Sequence, residues 1–264
     1  MKENLKKHLN GYELLMAAVI IARSTSFVIS KLSMRSLAPM NLLAVRFVLA
    51  FLILVALFFK KFGGMNLRVL RDGVLLGATY TAVMVFEMYG LRLTESATAS
   101  FIENSAFLLV PVLEIIFLHE FPKPLTVAGM VLAFFGVALL TVAGGAKINS
   151  GCLFCMGAMA FYALAIFETS VFANESDPLL VGIVQIGAMG LLSLLLSLLL
   201  ETPRLPSSSA EWTMVLLLAV VCSVFGFTLQ PVAQKHIQVD RAGMFSALNP
   251  LAATFWGYLV LDER

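Results

Sequence analysis

Four ionisable side chains lie inside apolar stretches of the chain, where a charge is expensive. They are two cations, Arg23 and Arg46, and two anions, Glu87 and Glu103. A carboxylate near the centre of a bilayer costs roughly 2.5 to 3.5 kcal/mol on insertion scales, so such residues face a protein interior or a wet cavity. The chemistry open to them is proton exchange at a carboxyl group and recognition of an anion by a planar guanidinium.

The stretch 96–120 is long enough to cross a membrane, yet it contains Glu103, Asn104 and Pro111. Proline removes a backbone donor and clashes with the preceding helical turn, so Pro111 bends the helix and frees a carbonyl at membrane depth. A helix facing lipid gains nothing from these residues. The stretch is therefore predicted to line a pore or cavity.

The composition predicts an all-α membrane protein. Hydrophobic residues make up 60% of the 264 residues and charged residues only 13%, with a mean hydropathy of +0.93. The apolar runs approach the 20 residues that a transmembrane helix needs, and the alternation of a membrane β-barrel is absent from the sequence. Nine spans are predicted, at 12–30, 40–59, 73–91, 96–118, 125–142, 151–172, 179–200, 214–233 and 242–261.

Lysine and arginine are distributed unevenly over the loops of the first half. Three lysines precede the first span, four basic residues lie in 60–71, and Lys123 follows the fourth span, whereas the opposite side is poorer in basic residues. Short cytoplasmic loops are rich in lysine and arginine. We therefore expect a multi-pass protein of the cell membrane with a cytoplasmic N-terminus.

Pairs of similar residues recur along the chain at a nearly constant separation. The pairs are Pro39 and Pro178, and Arg46 and Gln185, at 139 residues, and Glu87 and Gln230, and Glu120 and Glu263, at 143 residues. Each repeat would hold five spans, and an odd number gives the two halves opposite orientations in the membrane. The prediction is an inverted repeat of two five-helix bundles, residues 1–143 and 151–264, with a substrate site near the midplane.

The repeat also predicts the roles of two acidic residues and a further span. Glu120 and Glu263 are expected to cap or orient the ends of the fourth and ninth spans. The fifth span begins just after Glu120, so its counterpart would begin just after Glu263, and the chain ends at Arg264. We therefore expect that a tenth span is missing from this chain.

Short motifs occur in an order that is typical of one group of carriers. They are the run 26–31 ending in lysine, Pro39 with Arg46, the run 99–102 with Pro111 and Glu120, and the run 246–250 with Gly257 and Glu263. In this order they resemble the drug/metabolite transporter superfamily and, within it, the EamA family of ten-helix carriers. The resemblance implies transport of a small molecule across a membrane.

The chain departs from the pattern of the family at four positions. Arg23 and Ser24 stand where the family usually has Trp-Gly, and Glu103 and Glu114 are additional acids in the fourth span. Because substrates vary widely across the superfamily, these departures leave the identity of the substrate undetermined. They do not change the predicted fold.

The four ionisable residues are predicted to form one layer. At 1.5 Å per residue, Arg23, Arg46 and Glu103 fall about 10 Å from the outer face, and Glu87 about one turn nearer to it. Pairing is expected because a buried, unpaired charge costs several kcal/mol. Glu103 is the candidate proton carrier, and Arg46 or Arg23, with Asn104 nearby, is the candidate ligand for a substrate carboxylate or phosphate. The alternative is a closed salt-bridge network that never touches substrate.

Helix bending is the predicted basis of gating. At the repeat offset, Asn249 and Pro250 of the ninth span fall within the region from Asn104 to Pro111 of the fourth. Aromatic residues are further candidates for a cavity wall, although packing is their commoner role; they are Tyr80, Phe86, Tyr89, Phe101, Phe107, Trp256 and Tyr258.

The predicted function is secondary transport by alternating access, with proton-coupled efflux of a small metabolite or drug as the favoured form. The chain has no ATP-binding motif, cofactor motif or nucleic-acid motif, and its histidines lack the spacing of a zinc site. The alternatives are an uptake permease, an intramembrane enzyme, or a remnant without function. Lipid and a small molecule are the expected partners, and a second copy of the chain is a further candidate.

Overall fold

The computed structural model describes residues 11–119, 121, 124–143 and 149–261, and the regular structure in these residues is helical throughout. The α-helices are α1 (Gly11–Ser33), α2 (Pro39–Phe58), α3 (Leu67–Leu93), α4 (Ser96–Asn104), α5 (Val110–Phe117), α6 (Pro124–Ala143), α7 (Ser150–Glu175), α8 (Pro178–Leu200), α9 (Ser209–Leu217), α10 (Thr228–Gln234), α11 (Val239–Phe245) and α12 (Leu248–Leu261). Two 3-10 segments, Phe59–Gly64 and Ser105–Leu108, and a π-helical segment, Leu218–Phe227, join some of them.

Each predicted span coincides with one helix or with consecutive helices. Seven helical segments among the described residues are long and apolar enough to cross a membrane. They are Gly11–Ser33, Pro39–Gly64, Leu67–Leu93, Ser96–Phe117, Ser150–Glu175, Pro178–Leu200 and Ser209–Gln234. The predicted span 125–142 coincides with α6, and the span 242–261 coincides with α11 and α12. The expected capping by Glu120 and Glu263 lies outside the described residues.

The helices pack symmetrically across the middle of the chain. Helix α2 packs against α8, and α4 packs against α12. Helix α3 packs against α7, and in the same way the π-helical segment and α10 pack against α1. Helix α4 also contacts α7, as α12 contacts α1. Each of these contacts of a helix in the first four spans thus has an equivalent among spans six to nine. This symmetry is expected for an inverted repeat.

The prolines of the repeat begin equivalent helices, but the two helix ends are capped differently. Pro39 and Pro178 each occupy the first turn, where a missing N–H is harmless. Asp177 caps its own helix, α8, by accepting from the backbone N–H groups of Leu179 and Leu180. In α2 the carboxylate of Glu201, from the other half, accepts from two backbone N–H groups at 2.8 and 3.0 Å. The cap of α2 therefore holds the two halves together.

Three spans are interrupted. The fourth changes from α4 to a 3-10 turn at Ser105 and resumes as α5 at Val110, with Pro111 in its first turn. The eighth is π-helical over Leu218–Phe227. The ninth breaks between α11 and α12. The bends that the sequence predicts in the fourth and ninth spans are therefore breaks in the helix, and they fall at corresponding positions of the two repeats.

Glycines allow the closest helix contacts. A Cβ added at Gly182 of α8 would lie 2.6 Å from the backbone oxygen of Thr228, and one at Gly190 would lie 3.1 Å from the backbone nitrogen of Val48. At Gly136 of α6 an added Cβ would meet nothing within 4 Å. The sequence leaves open whether these glycines serve packing. The geometry assigns that role to Gly182 and Gly190 but not to Gly136.

We predict that Gly182→Ala lowers the free energy of unfolding by about 1 to 3 kcal/mol, because the backbone of Thr228 cannot yield as a flexible side chain can. Thermal unfolding of the purified protein in detergent measures the effect. Gly136→Ala is the matched control and should be neutral or stabilising by up to about 1 kcal/mol, since alanine is the better helix former. Equal destabilisation by both variants would contradict close packing at Gly182.

Candidate functional site

The four ionisable residues of the predicted layer are all buried. The exposed fraction is 5% for Arg23, 0% for Arg46, 2% for Glu87 and 3% for Glu103. They come from α1, α2, α3 and α4, and the packing of the second half against these helices encloses them. The sequence therefore predicts correctly that the four are buried.

Arg23 lies among aromatic rings. Its guanidinium carbon is 4.0 Å from the ring centre of Phe227, 5.2 Å from that of Tyr162 and 5.4 Å from that of Tyr80. Nη1 donates to Oε1 of Gln230 and lies 3.5 Å from the hydroxyl of Tyr162. Cation–π attraction is strongest where water is excluded, so the rings and the amide replace a large part of the lost hydration.

Arg46 is held by hydroxyl groups. Its Nε donates to Oγ of Ser223 and its Nη1 to Oγ of Ser26, both at 2.9 Å. The ring centre of Phe47 is 4.8 Å from the guanidinium carbon. The remaining nitrogen, Nη2, is buried and has no hydrogen-bond partner. Arg46 thus keeps an unused donor at the centre of the protein.

The two carboxyl groups lie against each other. The side chains of Glu87 and Glu103 lie close together on the wall of one small cavity. Ionised carboxylates only accept hydrogen bonds, so a direct hydrogen bond between the two groups would need a proton on one of them. Oxygen Oε1 of Glu87 is buried without a partner.

The expectation that these cations pair directly with these anions is wrong. Within the described part of the chain, the ion pairs below 4 Å occur elsewhere, at Asp72, Glu211 and Glu13, and none joins the four residues of the layer. The arginines instead lie against rings, hydroxyls and an amide, while Nη2 of Arg46 and Oε1 of Glu87 keep no partner. The charges still act on one another because a buried environment screens them weakly.

Three residues of the layer, Arg23, Glu87 and Glu103, line a cavity of about 10 Å³, which is room for about one water molecule. Its wall consists of Arg23, Ser26, Phe27, Met84, Glu87, Glu103, Phe227 and Asn249. A metabolite does not fit in this volume. With the four residues at most 5% exposed, the layer is closed to solvent in this structure.

An asparagine pair joins the broken fourth and ninth spans. Nδ2 of Asn249 donates to Oδ1 of Asn104 at 2.7 Å, and Nδ2 of Asn104 donates to the backbone oxygen of Ser100 at 2.8 Å. The hydroxyl of Ser246 lies 3.3 Å from the backbone oxygen of Asn104. The two residues, 145 positions apart, occupy corresponding places in the two repeats. The breaks of the two halves therefore meet at the edge of the charged layer.

A family model matches almost the whole of the described chain. The model of the EamA-like transporter family matches residues 10–142 and again residues 149–264. The chain belongs to the EamA-like transporter family. As the sequence motifs indicate, it is a membrane transporter by family.

Relatives and a solved structure agree with this family. The uncharacterized transporter YetK of Bacillus subtilis (strain 168) is 24% identical over 271 residues, covering 98% of this chain and 82% of its own. An uncharacterized transporter of Archaeoglobus fulgidus is 23% identical over 249 residues, covering 94% of this chain and 77% of its own. A solved crystal structure superposes with a TM-score of 0.75 at 20% identity, over 94% of this chain and 88% of that one. This last similarity shows a shared fold.

Several residues around the candidate site of this EamA-like protein were not assigned to it from the sequence. Tyr162 and Ser223 carry no charge and look like ordinary helix residues, and Ser26 was noted only as part of the run 26–31. Tyr162 stands 139 positions after Arg23, the separation of the repeat, so the repeat itself was the signal that could have located it. Of the candidate aromatic residues, Tyr80 contacts Arg23 of the layer, whereas Tyr258 is 61% exposed on the surface of the protein.

We predict that Asn104 and Asn249 are energetically coupled. In a double-mutant cycle with Asn104→Ala and Asn249→Ala, the interaction energy should be about 0.5 to 1.5 kcal/mol, the range of hydrogen bonds between membrane helices. Unfolding free energies in detergent measure it. Asn41→Ala is the control partner for Asn249→Ala, since Asn41 bonds to Ser197 and Thr202 instead. If the effects of Asn104→Ala and Asn249→Ala on the unfolding free energy simply add, the two residues are not coupled.

Proposed function

We propose that this EamA-like protein is a secondary transporter that moves a small molecule by alternating access, with a proton on the Glu87–Glu103 pair as the coupling ion. The observation that carries the proposal is the sealed layer of buried charges where the breaks of two repeat-related helices meet. Helix breaks at membrane depth are tolerated only inside protein or beside a cavity, and carriers use them for binding and gating.

The Glu87–Glu103 pair supports proton coupling. A hydrogen bond between two carboxyl groups stores one proton without burying a second negative charge. Opening the layer to water would hydrate both groups and favour release of that proton. Glu103 is the proposed carrier, and Glu87 the group that holds the proton with it.

Arg46 and Arg23 have different proposed roles. Arg46 retains a free donor, Nη2, so it can bind an anionic group of a substrate once the layer opens. Arg23 is already surrounded by Tyr80, Tyr162, Phe227 and Gln230, and we assign to it the positioning of the layer. Asn104 is proposed to connect the layer to the gate through Asn249.

Transport is proposed to run outward across the cell membrane, with the N-terminus in the cytoplasm. The distribution of lysine and arginine supports this orientation, because Lys60, Lys61, Arg68 and Arg71 lie together at one end of the bundle and are exposed. The repeats are proposed to divide at residues 143 and 151. An uptake permease would use the same layer in the opposite direction.

We predict that Glu103→Gln abolishes proton release on ligand binding. The assay first screens amino acids, nucleobases and cationic drugs for thermal stabilisation of the wild-type protein, because a bound ligand stabilises the native state. The compound found is then added to weakly buffered protein with a pH indicator. Wild type should release about one proton per ligand, since the pair holds one, and Glu103→Gln none.

Glu168→Gln is the matched control for this assay. Glu168 is also a largely buried carboxyl group with an unpartnered oxygen, but it does not line the cavity. Its replacement should leave proton release unchanged. If Glu103→Gln still releases a proton, or if both variants lose release equally, the Glu87–Glu103 pair is not the coupling site.

Pro111, Asn249 and Pro250 form the proposed gate. Pro111 and Pro250 lie in the first turns of α5 and α12, directly after the breaks, where proline prevents the helix from running on. The broken segments can therefore tilt without disrupting the helices on either side. Asn249 connects the two breaks through its bond to Asn104.

We predict that Pro111→Ala slows transport by at least about tenfold while ligand-induced stabilisation is retained, because a restored N–H allows α4 and α5 to approach one continuous helix. Initial rates in proteoliposomes, measured with the compound from the stabilisation screen, test this. Pro178→Ala, in the first turn of α8, is the control and should transport normally. A normal rate for Pro111→Ala would exclude Pro111 from the gate.

A further inference from the structure

Two buried oxygen atoms on the cavity wall have no hydrogen-bond partner. They are Oε1 of Glu87 and Oδ1 of Asn249, whose residues are 2% and 3% exposed. The residues come from α3 and α12, one from each half of the protein, and both line the same small cavity. A buried polar atom without a partner loses the hydration that it has in water, so this wall is poised to accept hydrogen bonds.

The amide of Asn249 has its orientation fixed by its neighbours. Asn104 donates its Nδ2 to the backbone oxygen of Ser100, which can only accept. Oδ1 of Asn104 must then accept, and Nδ2 of Asn249 is the donor that it meets. This leaves Oδ1 of Asn249, a residue of the cavity wall, without a partner. The open positions at the cavity wall are therefore acceptors, beside a carboxyl pair.

The other groups around the cavity are already engaged or apolar. Arg23 donates to Gln230, and Ser26 accepts from Arg46. Phe27, Met84 and Phe227 supply carbon surface. A group that fits this wall must be small, must donate several hydrogen bonds, and must be attached to an apolar carbon atom.

We propose that the transported molecule carries a protonated primary amine, and that its N–H groups donate to Oε1 of Glu87 and Oδ1 of Asn249. The inference rests on the proposed function, since it names the chemical class of the ligand for that same site. The ammonium head occupies the volume of about one water molecule, and the carbon next to it lies against Phe27, Met84 and Phe227. A quaternary ammonium lacks the N–H groups, and the aromatic rings that would attract it already surround Arg23.

The amine and the proton compete for the same carboxyl pair. When the ammonium group binds, the proton shared by Glu87 and Glu103 leaves to water on the side to which the layer opens. One positive charge replaces another, so the net charge of the buried layer does not change. Exchange is therefore not opposed by the cost of burying an additional charge.

The experiment measures thermal stabilisation of the full chain in detergent by four probes at equal ionic strength: methylammonium, ethylammonium, tetramethylammonium and sodium. Methylammonium and ethylammonium should stabilise the wild type, and the other two should not. Affinity should rise between about pH 6 and about pH 8, where these amines are still protonated but fewer protons compete for the carboxyl pair.

Variants locate the binding. Glu87→Gln should lower the affinity for ethylammonium about ten- to hundredfold, the loss expected for a charge-assisted hydrogen bond. Asn249→Leu should lower it about tenfold, as expected for a neutral one. Glu168→Gln, which alters a carboxyl group outside the cavity, should bind as the wild type does. The melting temperature of each variant without ligand shows that it is folded.

Three results overturn the proposal. They are equal stabilisation by tetramethylammonium, stabilisation by sodium alone, and no stabilisation by either amine, in which case the cavity holds only water. Proton release separates this inference from the proposed function. Amines that bind without proton release leave the ligand class standing and refute proton coupling. If amines do not bind and a ligand without N–H donors causes proton release, proton coupling stands and the proposed ligand class is refuted.

Discussion

Two buried guanidinium groups without a carboxylate in direct contact are the constraint around which this protein is built. An arginine does not give up its proton in a protein, so Arg23 and Arg46 remain charged at membrane depth and need a substitute for water. Their substitutes come largely from the second half: Tyr162, Gln230, Ser223 and Phe227. Separating the halves would remove most of the partners of Arg23 and the hydrogen bond from Arg46 to Ser223. The charged layer thus stabilises the contact between the repeats as well as forming the candidate site.

The π-helical segment explains how a single stretch of chain serves both arginines. A wide turn moves side chains out of the register of an α-helix, and such turns are frequent at functional sites. Within it, the hydroxyl of Ser223 donates to the backbone oxygen of Leu218 at 3.2 Å, five residues back, and its lone pairs are left for Arg46. Phe227, at the end of the same segment, stacks on Arg23. The local distortion of the eighth span is therefore connected directly to the solvation of the layer.

The sequence was sufficient to predict the helices and the burial of the charges, because hydrophobic length determines the spans and a charge within a span must be enclosed by protein. It was not sufficient to predict partners. Depth gives the height of a residue in the membrane but not the direction in which its side chain points around the helix axis. Arg23 and Glu103 were therefore placed correctly in one layer and wrongly in contact with an opposite charge. Of the serines that hold Arg46, Ser223 carries no pattern that distinguishes it from other small helix residues, and the run 26–31 that includes Ser26 does not indicate that Ser26 binds an arginine.

The repeats are equivalent in packing but not in charge, and this difference bears on how the layer can work. Counted at the repeat offsets, Arg23 corresponds to Tyr162, Arg46 to Gln185 and Glu87 to Gln230. Each of these three charged residues therefore has a neutral polar counterpart in the second half. An inverted repeat can exchange the conformations of its halves to open the site to either side. The charges, however, stay with the first half. Its helices carry the carboxyl and guanidinium groups, while the neutral counterparts Tyr162 and Gln230 meet Arg23. An opening that separates the halves must break the contacts of Arg23 with Gln230 and of Arg46 with Ser223. Because the charges stay with the first half, the two halves contribute unequally to the electrostatic cost of opening, even though their helices are arranged alike.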